Sequence, residues 1–251
     1  MTRSRALLSA SLLSAVPYAL SPLPAAAEPF TPGQRAAIVE ILREALRADP
    51  SILREALAAL EAAEREAEAE VRRAAVRAHA EALFRTAEDP VLGPVGARVT
   101  VVEFTDYRCP YCRSMRGVIL DLLRAERDVR VVVKPMPILG PASVTAARAA
   151  LAAQMQGRFA PFHDALLALR GDIDEAALVQ VAAEVGLDAA RLRRDMAGAE
   201  VTRRLSSALA LAQALGLQGT PAYVVGETVL PGAVPLARLR DAVAEARRQV
   251  R

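Results

Sequence analysis

The sequence predicts an α/β fold with an inserted helical subdomain, preceded by an N-terminal helical extension. Three observations carry that expectation. Two apolar runs, residues 99–104 and 129–134, flank a helical segment that opens on Cys109-Pro110-Tyr111-Cys112, the pattern of a βαβ unit whose strands are buried on both faces. A long stretch, residues 142–215, then keeps a helical period with breaks near Gly157, Gly171, Gly186 and Gly198 before strand-like residues return. Ahead of both, residues 31–85 read as helix interrupted at Asp49-Pro50. At 251 residues, 53% hydrophobic and 24% charged, the chain has the length of one ordinary domain with an appendage.

At the N-terminus, Arg3 and Arg5 precede an apolar stretch, residues 6–20, and Ala25-Ala26-Ala27 follows Pro22 and Pro24. That layout predicts a signal peptide over residues 1–27, cut after Ala27, and hence export to the periplasm. The competing reading is a membrane anchor. The segment is shorter than the ~20 apolar residues a span needs, and Pro17 interrupts it. The formal charge is +3; less Arg3 and Arg5 it is +1, which gives no concentrated basic footprint for nucleic acid.

Residues 28–87 form the expected extension. Thr31-Pro32 offers an N-cap followed by a first-turn proline, and Ile38, Ile41, Leu42 and Leu46 recur at helical spacing. A second helix, residues 51–85, carries a stripe of Leu53, Leu57, Leu60, Glu64, Ala67, Val71, Ala74 and Ala78, with Glu61/Arg65 and Glu68/Arg72 pairs outside it. The stripe suits a homo-oligomer joined through these helices. Glu64 within it suits the alternative, a solvated linker helix with an alanine-rich side. The Pro- and Gly-rich residues 87–96 mark the boundary to the main domain, residues 88–251. There the βαβ unit is followed by the helical insertion, by a hairpin of residues 222–225 and 228–230 across Gly226-Glu227, and by a last helix from Pro235.

The chain has two cysteines, three positions apart. A structural disulfide is the ordinary reading for an exported protein, but closing so small a loop removes little unfolded-chain entropy. Redox chemistry explains the spacing better. A sulfur at a helix N-terminus gains from unpaired backbone N–H groups and the helix dipole, which marks Cys109 as the attacking sulfur. Cys112, one turn later, is placed to resolve the mixed disulfide. Pro110 fits the first turn without losing a hydrogen bond, and with Tyr111 it tunes the redox balance. A zinc half-site is the rival, yet only His79 and His163 remain as further His or Cys ligands, on separate helices. No cofactor or resident metal is expected.

The segments Glu103-Phe104-Thr105-Asp106-Tyr107-Arg108-Cys109-Pro110-Tyr111-Cys112, Lys134-Pro135-Met136-Pro137-Ile138-Leu139-Gly140 and Gly219-Thr220-Pro221-Ala222-Tyr223-Val224 together resemble the DsbA-like thioredoxin-fold proteins, most closely the suppressor-of-copper-sensitivity protein C group. The resemblance runs from about Asp89 to the C-terminus, and the N-terminal helices are similar to that group's extension. It implies a thiol-disulfide oxidoreductase, oxidase or isomerase, acting on exported proteins with cysteines and recharged by a membrane or periplasmic redox partner. It implies a cis peptide before Pro221, with the Thr220 segment aligning substrate backbone; a trans turn proline is the plain alternative. It also implies that Glu103 is a buried acid handling the resolving cysteine's proton, against the alternative of a sheet-edge or salt-bridged Glu, with Lys134 as a candidate ionic partner. A periplasmic copper-stress binding protein or chaperone, with both reduced thiols as Cu(I) ligands, is the competing function.

Overall fold

The computed structural model describes residues 30–249. The expected signal peptide lies outside them. The described chain divides into two compact units between Glu61 and Ala62, and each is taken by itself.

In the first unit, α1 spans Pro32–Ala48. Thr31 and Gln34 form a reciprocal capping box, Thr31 Oγ1 accepting from the Gln34 amide and Gln34 Oε1 from the Thr31 amide. Asp49 ends the helix, and its carboxylate accepts from the Ser51 amide and hydroxyl to start α2, Ser51–Ala78, which crosses into the second unit. Ile38, Ile41, Leu42 and Leu46 on α1 and Leu53, Leu57 and Leu60 on α2 are exposed.

The second unit is built on a mixed five-stranded sheet of β1 (Val91–Leu92), β2 (Val99–Thr105), β3 (Val129–Pro135), β4 (Ala222–Val225) and β5 (Thr228–Pro231), in the order β1-β3-β2-β4-β5. β2 and β3 run parallel, joined by α4, Pro110–Ala125; the other neighbours are antiparallel. Because side chains alternate across a sheet, Val101, Glu103, Val131, Val133 and Tyr223 face one side, where α4 and the helical insertion pack. Val102, Phe104, Val132 and Val224 face the other, covered by Val76 at the end of α2, Leu83 of α3 (Ala80–Phe84), and Leu211 and Leu215 at the end of α9 (Ala199–Ala214).

The insertion holds α5 (Pro141–Met155), α6 (Phe159–Ala168), α7 (Glu175–Glu184), α8 (Ala189–Ala197) and α9; α10, Leu236–Gln249, follows the hairpin. Two local features differ from the sequence expectation. The second helix was expected to run through residue 85, but it stops at Ala78, and His79 turns the chain into α3 so that Leu83 is fully buried on the sheet. The expected linker also contains a strand: Val91 and Leu92 pair with Val132 and Val131. Gly93 closes that strand with φ +88°, where a Cβ would meet Leu123 Cδ2 at 2.9 Å and the Val129 carbonyl at 3.0 Å, so the turn needs glycine.

Candidate active site

Cys109 is the N-cap of α4, directly after the carboxyl end of β2, and Pro110 occupies the first turn. A helix whose N-cap is a cysteine leaves its first amides without a side-chain acceptor, and none caps them here. Both cysteines are free thiols. Cys109 is 6% exposed and Cys112 fully buried, while Tyr111, between them in sequence, is 66% exposed. Solvent therefore reaches this face through Tyr111 and the edge of Cys109.

The segment before β4 supplies the opposite wall. The Thr220–Pro221 peptide is cis, as the family resemblance implies, and the Cys109 thiol donates to the Thr220 carbonyl at 3.3 Å. The Asp106 amide donates to Cys112 Sγ at 3.4 Å. Burial pushes the Cys112 thiol up to about 12, with hydrogen bonding only partly offsetting it.

Glu103 lies on the sheet face that packs against α4 and is 1% exposed. Burial raises its carboxyl to about 7, and the nearby Tyr223 and Thr105 hydroxyls offset this only in part. Glu103 Oε2, Thr105 Oγ1 and Tyr223 OH have no hydrogen-bond partner. Lys134 is not the partner of Glu103. It is paired with Phe104 in the register and so projects from the opposite sheet face, where it forms an ion pair with Asp89 and donates to the Ala82 carbonyl at 2.7 Å.

Three residues not singled out for the chemistry in the sequence complete the surroundings. Asp106, 1% exposed, accepts from the Arg108 amide at 2.9 Å, and its other oxygen accepts from the Ile138 and Leu139 amides at 2.8 and 3.1 Å. It thereby fixes the cysteine turn against the loop after β3. The bond from Arg108, two residues on, is the turn that an Asp in such a position often makes, and that was the available signal. Tyr107 is fully buried and its hydroxyl shares a hydrogen bond with His163 Nδ1 at 3.0 Å. Burial lowers the imidazole of His163 to about 4. His163 is thus a packed neutral histidine on α6, in contact with Phe159, and His79 sits at the α2–α3 turn. Among the described residues no group of three His, Cys, Asp or Glu side chains is placed to hold a metal ion.

Comparison with known proteins agrees with this geometry. A DSBA-like thioredoxin domain model matches residues 100–244, more than half of the chain, and a copper resistance protein ScsC N-terminal domain model matches residues 34–67. A thioredoxin-like oxidoreductase from Silicibacter pomeroyi DSS-3 is 46% identical, with a TM-score of 0.65 over 67% of this chain and 97% of that one. A linker-deletion mutant of Proteus mirabilis ScsC is 27% identical, with a TM-score of 0.67 over 89% of this chain and 100% of that one. Among curated proteins, the Na(+)/H(+) antiporter NhaA of Herminiimonas arsenicoxydans is 37% identical over 163 residues, which is 64% of this chain and 26% of that protein. The chain spans about a quarter of the length of the curated relatives it matches, and no helix of its described residues is long and apolar enough to cross a membrane. With a cysteine pair at the head of α4, a facing cis-proline segment and these matches, the chain belongs to the DSBA-like thioredoxin domain family of thiol-disulfide oxidoreductases and carries a ScsC-type N-terminal domain.

Proposed function

We propose that this protein is a periplasmic enzyme that exchanges disulfides with exported, cysteine-bearing proteins, Cys109 attacking and Cys112 resolving, and that it serves as a disulfide isomerase. The observation that carries the reading is the Cys109 thiol at a helix N-terminus, 3.3 Å from the Thr220 carbonyl beside Pro221. A client strand laid along Thr220 and Pro221 brings its own sulfur to Cys109. Pro110 and Tyr111 set how far the reduced form is stabilised, a lever worth about 1.4 kcal/mol for every 30 mV. Glu103 takes the proton of Cys112 when the mixed disulfide resolves.

Isomerisation is favoured by the first unit. Its apolar residues at helical spacing are exposed, as a self-associating extension requires, and an oligomer holds several cysteine sites around one client. The test is refolding of a scrambled-disulfide protein by the mature chain, with its mass measured in solution. Recovery of native pairing by an oligomer supports the reading. Rapid oxidation of reduced clients by a monomer, with no effect on scrambled ones, replaces isomerase by oxidase.

The match of residues 34–67 to a copper resistance protein domain favours one second reading, Cu(I) capture by the two reduced thiols, which are soft ligands suited to that ion. A Cys109→Ala, Cys112→Ala double variant that still protects clients from copper shows that protection does not depend on these thiols.

A further inference from the structure

The end of the sheet that presents Cys109 is built from three loops. β2 runs into the cysteine turn with β3 on one side and β4 on the other. β3 is parallel to β2 and ends at the same edge, whereas antiparallel β4 begins there. Residues 136–140 after β3 and residues 216–221 before β4 therefore flank the cysteine turn, residues 106–113, on opposite sides. Within these three segments the sequence places three charged residues, Asp106, Arg108 and Arg113. Asp106 is 1% exposed and turned inward onto the amides of Arg108, Ile138 and Leu139. The charges open to a client are thus the two half-buried guanidinium groups, which bracket Cys109 and Cys112 in sequence.

Both side chains are fixed. Arg108 donates to the Leu139 carbonyl at 2.9 Å, and Arg113 donates to the Tyr107 and Gly171 carbonyls at 2.9 and 3.4 Å. These acceptors are neutral, and among the described residues neither guanidinium meets a carboxylate. The charges farther out come with their opposites. In the groove beyond Thr220, Arg72 is bound by Glu68, Arg73 by Glu66 and Glu70, and Glu227 by Arg77. Arg116 is bound by Asp164, and Arg170 and Asp172, exposed on either side of Gly171, are opposite in sign.

We infer that Arg108 and Arg113 select clients whose reacting cysteine is flanked by acidic residues and disfavour clients with flanking Lys or Arg. This inference rests on the proposed attack by Cys109 and names its substrate class. In that step the Cys109 thiolate forms a bond to one client sulfur, the client S–S bond breaks, and the other client sulfur leaves as a thiolate. A carboxylate beside the attacked sulfur approaches a face whose accessible side-chain charges are both positive. Because backbone oxygens already hold both arginines, little side-chain freedom is lost when that carboxylate arrives. Charges placed in this way act on encounter rate and on the choice of partner more than on affinity.

The experiment uses the full mature chain carrying Cys112→Ser, so that only the first attack is seen. Its substrates are three symmetric peptide disulfides that differ only in having Glu, Lys or Gln on both sides of the cysteine. The quantity read is the rate of adduct formation with the Glu peptide divided by that with the Lys peptide, followed by intact mass. Comparing this ratio between chains cancels the intrinsic reactivity of each peptide and any change in Cys109 itself. Arg108→Gln together with Arg113→Gln should lower the ratio about tenfold or more at low salt, and each replacement alone should lower it part of the way. Arg108→Lys together with Arg113→Lys keeps both charges and should retain most of it. At about 1 M salt, where the Debye length is about 3 Å, the ratios of the arginine and glutamine chains should converge. The single replacements keep the ratio measurable if the double variant does not fold. A folded glutamine chain with an undiminished ratio overturns the selection, as does a lysine chain that loses as much as the glutamine chain, or a ratio that salt leaves unmoved. Each of these results leaves thiol exchange intact, whereas a Cys112→Ser chain that forms no adduct with any of the three peptides overturns the parent reading instead.

Discussion

Cys112 holds its proton tightly because it is fully buried, and Glu103, raised to about 7 by the same burial, is the acid on its sheet face able to take that proton near neutral pH. Below about 7 Glu103 is protonated and cannot accept, so release of a bound client should speed up as pH rises through that value. In Glu103→Gln this inflection should vanish and release at neutral pH should slow about 10²-fold, measured by stopped-flow decay of a mixed disulfide; an unaltered profile would remove Glu103 from the step. The same groups set how stability depends on pH. Glu103 keeps its proton in the fold from its ordinary value of 4.5 up to about 7, so it contributes stability that is lost as pH rises across that window, about 3 kcal/mol in all. His163, at about 4 in the fold against an ordinary value of 6.5, does the reverse: its contribution is lost as pH falls from 6.5 to 4, by a similar amount. The two slopes oppose each other in the wild type. Glu103→Gln leaves only the histidine's contribution, so urea unfolding should show this variant gaining stability from about pH 4 to 6.5 more steeply than wild type, and parallel curves would contradict the assignment.

Among the elements, the short α3 and the segment leading into the two-residue β1 share one buried side chain. Lys134 reaches from β3 to Asp89 and to the Ala82 carbonyl of α3, with both charged groups largely buried. Lys134→Ala leaves the Asp89 carboxylate buried without its partner, and the expected loss is about 3–5 kcal/mol in urea unfolding; a change within experimental error would show the pair to be dispensable. This corner was the least legible part of the sequence. The strands, α4 and the glycine-punctuated insertion announce themselves by period and by turn residues, because their signals are local. The turn at His79 has no local breaker, since it exists to bring Leu83 onto the sheet, and β1 hides between Pro90 and Gly93 because two residues carry no period. The Cys109 and Cys112 placements follow from the C-x-x-C spacing before a helix. The Lys134 partner could not be read without the register, because a one-residue offset along a strand decides which face a side chain takes.

In the whole molecule, the redox unit carries its own core on both sheet faces, while the first unit leaves its apolar residues exposed. Leu53→Glu, Leu57→Glu and Leu60→Glu together should reduce the solution mass to that of one chain and leave exchange with a short peptide unchanged, since none of these residues belongs to the redox unit. Unchanged mass would exclude this stripe as the joint. Everything else depends on the division of labour between the two sulfurs, and the most direct measurement is trapping. The Cys112→Ser chain, mixed with a disulfide-bearing peptide and analysed by intact mass, should hold one peptide covalently on Cys109 and release it on reduction, while Cys109→Ser should hold none. An adduct that forms equally on Cys109→Ser, or on neither variant, would contradict the account.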